Sequence, residues 1–182
     1  MSGGASRRMG RDKALLPHEA GGSWLEQTLL LLAELNAPIT LLSRWPQHLA
    51  AAHDLGLEAL EAVAEPPPWE GPLLALHRLM ELHPDEQLLL CPVDMPDLNI
   101  TALTTLLTAA SQDGASIRLA HDGHRCQPLL GLYPATATVR RSLADAIASG
   151  ERRLQAWLAT QACDLVLLPA GATRNVNHPE EL

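Results

Sequence analysis

Phenylalanine is absent from this chain of 182 residues, and tyrosine occurs once. Trp24, Trp45, Trp69, Trp157 and Tyr133 are the whole aromatic complement, so the core must be built from Leu, Ala, Val and Ile. An acidic chain with so few aromatic residues, formal net charge −8, is a poor general binder of nucleic acid. Cysteine is scarce as well. Cys91, Cys126 and Cys163 are odd in number, far apart and without a CxxC pair, which argues against a disulfide framework and fits a reducing compartment. The eight histidines are scattered without metal-ligand spacing, so no zinc site is read from them. No apolar run reaches the length of a membrane span. The first residues are polar and glycine-rich and lack the apolar h-region of a signal peptide. The expectation is a soluble, cytoplasmic protein with neither a membrane nor a nucleic-acid partner.

What the chain does have is hydrophobic content, 47%, enough for a sizeable core in one domain over residues 1–182. It also has a distinctive opening: Met1-Ser2-Gly3-Gly4-Ala5-Ser6-Arg7-Arg8-Met9-Gly10-Arg11-Asp12-Lys13. Glycine lets backbone N–H groups turn towards an anion and removes the side chain that would block its approach. Arginine and lysine add charge to the same concavity. On composition alone, this is either a polyphosphate cradle or a polar tail. It matches neither GxxxxGK[ST] nor GxGxxG.

Further along, apolar runs alternate with helical patterns. Helices are expected over 24–35 with Ser23 as N-cap, and over 46–53, 73–82, 99–111, 136–148 and 152–161. Strands are expected over 39–42, 57–63, 87–91, 116–120, 127–132 and 165–168, with 87–91 reading as a central parallel strand. The turn-rich stretch Glu65-Pro66-Pro67-Pro68-Trp69-Glu70-Gly71-Pro72 separates the second strand from the third helix. Alternation of this kind implies an α/β fold with a mostly parallel sheet, in which ligands bind beyond the carboxyl ends of the strands.

Several loop residues then become candidates. Asp94 directly follows an apolar strand and lies between Pro92 and Pro96. It reads either as a turn former or as a carboxylate holding Mg²⁺ against substrate phosphates. Gly71 opens a helix, or lets a nucleobase or ribose lie against bare backbone. Asn175 and Asn177 alternate, so in an extended segment they share a face; the other reading is a solvated tail. Arg152 and Arg153 read as a charged helix start.

Taken in order, these segments resemble one family. The opening loop through Ala14-Leu15-Leu16 is similar to the signature loop of the molybdenum cofactor guanylyltransferases. Gly71-Pro72-Leu73, Cys91-Pro92-Val93-Asp94-Met95-Pro96, Gln127-Pro128-Leu129, Gly150-Glu151-Arg152-Arg153 and Asn175-Val176-Asn177-His178-Pro179-Glu180-Glu181-Leu182 resemble that family's later motifs. The resemblance implies a single nucleotidyltransferase domain with a three-layer, Rossmann-like αβα fold. It implies transfer of GMP from GTP to molybdenum-molybdopterin, with Mg²⁺ as cofactor and pyrophosphate as leaving group. Contact with molybdoenzyme-specific chaperones or other cofactor-synthesis proteins is implied too. By resemblance, Gly3, Gly4, Arg7 and Lys13 hold the triphosphate and Asp94 the metal, with Arg8, Lys13 and Asp94 acting in catalysis. Glu65 and Gly71 lie on the nucleotide side, and Asn175 and Asn177 towards the pterin. The same loop also suits cytidylyl or sugar-nucleotide transferases of this fold, and a non-catalytic cofactor-binding protein is the reading from another class.

Three departures stand out. Only Met1 and Ser2 precede Gly3, where the family has a first strand ending in Leu-Ala. This suggests a natural start about ten residues upstream, since strands average about five or six residues. Leu41-Leu42-Ser43-Arg44 replaces a segment in which the family carries an Asn contact to the nucleotide, leaving Ser43 as the substitute. Glu65 stands where the family has Asp.

Overall fold

In the computed structural model, residues 12–109, 116–169 and 171–174 are described. They fall into two compact units.

The first unit holds residues up to Pro67, together with Pro92–Ile100 and the segment from Gly171. Its first element is a single 3-10 turn, Lys13–Leu15, whose N-cap Asp12 accepts a hydrogen bond from the Ala14 N–H. An antiparallel bridge pairs Pro17 with Ser23 and leads into α1, Trp24–Ala33. That helix starts where its sequence dictates. The Ser23 hydroxyl accepts from Glu26 N–H, and the Glu26 carboxylate accepts from Ser23 N–H, a complete capping box. Such a cap is worth about 1 kcal/mol. Strand β1, Ile39–Ser43, and strand β2, Leu60–Ala64, pair in parallel. Helix α2, Pro46–Asp54, connects them, with Pro46 in its first turn. Leu25 and Leu29 of α1 are buried in one cluster with Ala14, Ile39, Leu41 and Ala52. Each fully buried Leu contributes about 1.5–3 kcal/mol.

The second unit contains α3 (Pro72–Leu82), β3 (Gln87–Leu90), most of α4 (Ile100–Thr108), β4 (Ile117–His121), β5 (Cys126–Pro134), α5 (Ala137–Ala148), α6 (Leu154–Leu158) and β6 (Cys163–Leu167). Its sheet has the order β3-β5-β4-β6. Strands β4 and β6 pair in parallel, while β5 runs antiparallel to both β3 and β4. Three strands therefore share one direction and β5 alone is reversed. With β1 and β2 also parallel, this is the parallel-rich α/β arrangement expected of the sequence. Helix α3 packs on α5.

Two local expectations change. Residues 87–91 were expected to form a central parallel strand, yet among the described residues β3 pairs only with β5, antiparallel. A short apolar run reports burial and carries no information about a neighbour's direction. The last helix, expected from Arg152, begins at Leu154. The Glu151 carboxylate accepts from both Arg152 N–H and Arg153 N–H, which holds the first two N–H groups in a turn ahead of the helix.

Candidate active site

The site begins at the 3-10 turn. Asp12 divides its carboxylate between two donors: Oδ1 accepts from Ala14 N–H at 3.1 Å, and Oδ2 lies 2.7 Å from His48 Nε2. The next residue, Lys13, sends its ammonium to within 3.9 Å of Asp94 Oδ2. That separation lies beyond hydrogen-bonding reach but within strong Coulomb range. Burial raises the Asp94 pKa above its ordinary value, and the Lys13 charge opposes the rise. Lysine and aspartate are the two residues the sequence offered as phosphate and metal ligands, and the fold brings them together.

Other members of the predicted set are placed as follows. Glu65 follows β2 directly, and its backbone N–H donates to Ser43 O at 2.8 Å, extending the β1–β2 pairing by one residue. The carboxyl ends of these parallel strands thus carry Ser43 and Glu65. Gly71, in the second unit, has φ +103° and precedes α3. Any Cβ there would be conformationally strained, though its nearest neighbour, Arg152 O, is 3.8 Å away. Gly3, Gly4, Arg7, Arg8, Asn175 and Asn177 lie outside the described residues. Arg174, just before the asparagine pair, contacts Asp97 Oδ2 at 2.5 Å. The chain leading to the asparagines is therefore tied to the loop that carries Asp94.

Ser43 does not stand open as a substitute for the family's asparagine. It is fully buried; its Oγ lies 3.0 Å from His48 Nδ1 and accepts from Trp45 N–H at 3.2 Å. Gln127 of the Gln-Pro-Leu motif donates to Asp122 Oδ2 at 3.0 Å. Arg152 contacts Glu70 Oε2 at 2.6 Å and donates to Ile147 O and Glu151 O. Both arrangements sit within the second unit.

Sequence reasoning missed Asp12 and His48. The histidine was set aside with seven others for want of ligand spacing. Asp12 was passed over as part of a loop, although an Asp two residues before a polar-to-apolar transition is an N-cap signal.

The donor set fits a magnesium ion. Among the described residues, no three His, Cys, Asp or Glu side chains cluster as a cage. A single hard carboxylate, partly open to solvent, is what Mg²⁺ takes when substrate phosphates and water complete its octahedron. Among the same residues, no helix is long and apolar enough to cross a membrane.

Comparison with known proteins identifies relatives of this chain. The MobA-like NTP transferase domain matches residues 1–164. A protein of Rhodopirellula baltica named "Probable molybdenum cofactor guanylyltransferase" is 31% identical, over 100% of this chain and 87% of its own length. Among solved structures, the molybdopterin-guanine dinucleotide biosynthesis protein A of Archaeoglobus fulgidus superposes with a TM-score of 0.73. It is 19% identical over 99% of this chain and 91% of its own. The 2-C-methyl-D-erythritol 4-phosphate cytidylyltransferase of Thermus thermophilus has a TM-score of 0.62. It is 18% identical over 93% of this chain and 89% of its own. These solved structures share the Rossmann-like fold.

Proposed function

Because the chain belongs to the MobA-like NTP transferase family, we propose that it transfers GMP from GTP to molybdenum-molybdopterin. In this reaction a terminal phosphate oxygen of the pterin attacks the α-phosphorus of GTP. The bond from the α-phosphorus to the bridging oxygen breaks, and pyrophosphate leaves with the electron pair. A guanine dinucleotide cofactor results.

The observation that carries the reading is the Lys13–Asp94 pair, an ammonium and a carboxylate 3.9 Å apart. Nucleotidyl transfer needs little covalent chemistry from the protein; it needs two anions aligned and their charge offset. Lys13, with Gly3, Gly4 and Arg7, would hold the triphosphate, and Arg8 would offset charge growing on pyrophosphate. Asp94 would hold Mg²⁺, which when bound offsets phosphate charge during the transfer. Glu65 and Gly71 are assigned to the nucleoside, and Asn175 and Asn177 to the pterin.

Parallel turnover assays with GTP, CTP and ATP, each with molybdopterin and Mg²⁺, test the assignment. Pyrophosphate release with GTP and not with CTP or ATP is the expected result. Release with CTP alone would transfer the chain to the cytidylyl reading, and silence with all three would favour a non-catalytic binder.

A further inference from the structure

We propose that His48 is a positioning residue for Lys13, acting through the Asp12 carboxylate that caps the 3-10 turn. The proposal deepens the nucleotidyl-transfer reading, since it rests on Lys13 being the phosphate-holding lysine.

Three separate pieces of backbone meet at one imidazole. Nε2 faces Asp12 Oδ2 at 2.7 Å, and Nδ1 faces Ser43 Oγ at 3.0 Å. The ring itself stands in the first turn of α2. It is 1% exposed, and Ser43 is 0% exposed. An ionised carboxylate can only accept, so Nε2 carries a proton. Ser43 Oγ also accepts from Trp45 N–H. The end of β1, the start of α2 and the cap of the 3-10 turn are thereby joined through hydrogen bonds at one imidazole.

Asp12 then sets the lysine. With one oxygen on His48 and the other on Ala14 N–H, its side chain cannot rotate without losing both bonds. Leu15 N–H and Leu16 N–H close the turn on Asp12 O and Lys13 O, so the Cα of Lys13 is fixed by the same cap. His48 and Ser43 are both buried. The arrangement has Ser, His and Asp in a chain, yet it cannot work as a nucleophilic triad, because its hydroxyl is sealed. Its output is the placement of the next residue, the lysine opposite Asp94.

The test uses His48→Leu, which keeps bulk and removes both ring nitrogens, and His48→Gln, whose amide can again donate to Asp12. Three measurements are made on the whole protein: kcat and KM for nucleotidyl transfer, thermal midpoint, and trace acetylation of Lys13 read by peptide mass spectrometry. His48→Leu is expected to lower kcat about 10–100-fold, the scale of an ångström-sized misplacement, with KM nearly unchanged. It is also expected to change Lys13 labelling several-fold. His48→Gln should recover much of both, whatever the thermal midpoints do. In a Lys13→Met background, His48→Leu should have no further effect on kcat. Equal losses in both backgrounds, or Lys13 labelling that does not move, would overturn the proposal and leave His48 a packing residue. The labelling arm needs no turnover, so it decides the positioning question even if the wild type transfers no nucleotide and the functional reading falls.

Discussion

Burial raises the carboxyl pKa of Asp94 above its ordinary 3.8, and the neighbouring Lys13 ammonium pulls it partway back. A carboxyl whose folded pKa is raised favours folding in its protonated form. Its contribution is fully present below the ordinary 3.8 and is lost as pH rises through the raised folded value. At neutral pH the ionised Asp94 therefore weakens the fold, a burden that a metal-holding role explains. Asp94→Asn is expected to raise the thermal midpoint at neutral pH, with the difference from wild type shrinking in acid. The same change should cut nucleotidyl transfer by about 100-fold or more. Thermal scans from acid to neutral pH, run beside turnover, check both halves. A lower midpoint at neutral pH would contradict the burial argument. Asp94 and Lys13 were legible in the sequence because each sits in a local pattern, a strand end between prolines and a glycine-rich basic loop. The His48–Asp12 bond was not, because it joins residues 36 positions apart, and no local pattern encodes such a meeting.

At the scale of elements, the strand most constrained by its neighbours is β5. Gly131 lies opposite Leu119 and Leu90, where the β4–β5 pairing shifts register between Leu119 and Ala120. A Cβ added there would come 2.6 Å from Arg118 O and 2.9 Å from Leu119 Cδ2. The backbone oxygen cannot swing away as a flexible side chain would, so Gly131→Ala must push two strands apart. Overpacking of this kind costs about 1–3 kcal/mol. Urea denaturation should show a lower midpoint with an unchanged slope, and an unmoved midpoint would mean that the irregular pairing has slack. Helix starts were legible where side chains cap them, as Ser23 and Glu26 do for α1. They were misread where a carboxylate caps from outside the helix, as Glu151 does ahead of α6. The strands were legible as apolar runs, and the short connection from β4 to β5 allows only an antiparallel pair, but the pairing of β3 with β5 was written in no local pattern.

The whole molecule carries formal net charge −8, yet its proposed substrates are both anions. Attraction cannot come from overall charge; it must come from local cations, and opposed charges farther apart than about 8 Å are largely screened at physiological salt. Along the sequence, Arg7, Arg8, Arg11 and Lys13 are where positive charge is concentrated. The α/β class followed from alternating patterns along the full length, whereas the donor–acceptor logic of the site emerged only once separate segments were folded together. That logic bears on the kinetic scheme. Among the described residues of the first unit, Ser43 and His48 are buried. Neither of them can take GMP as a covalent passenger. Under the proposed function both substrates are bound at once, and the pterin phosphate attacks GTP directly. Initial-velocity lines should intersect when both substrates are varied, and labelled pyrophosphate should not exchange into GTP until the acceptor is added. Parallel lines, with exchange in the absence of acceptor, would instead require a guanylylated protein and would place the nucleophile elsewhere in the chain.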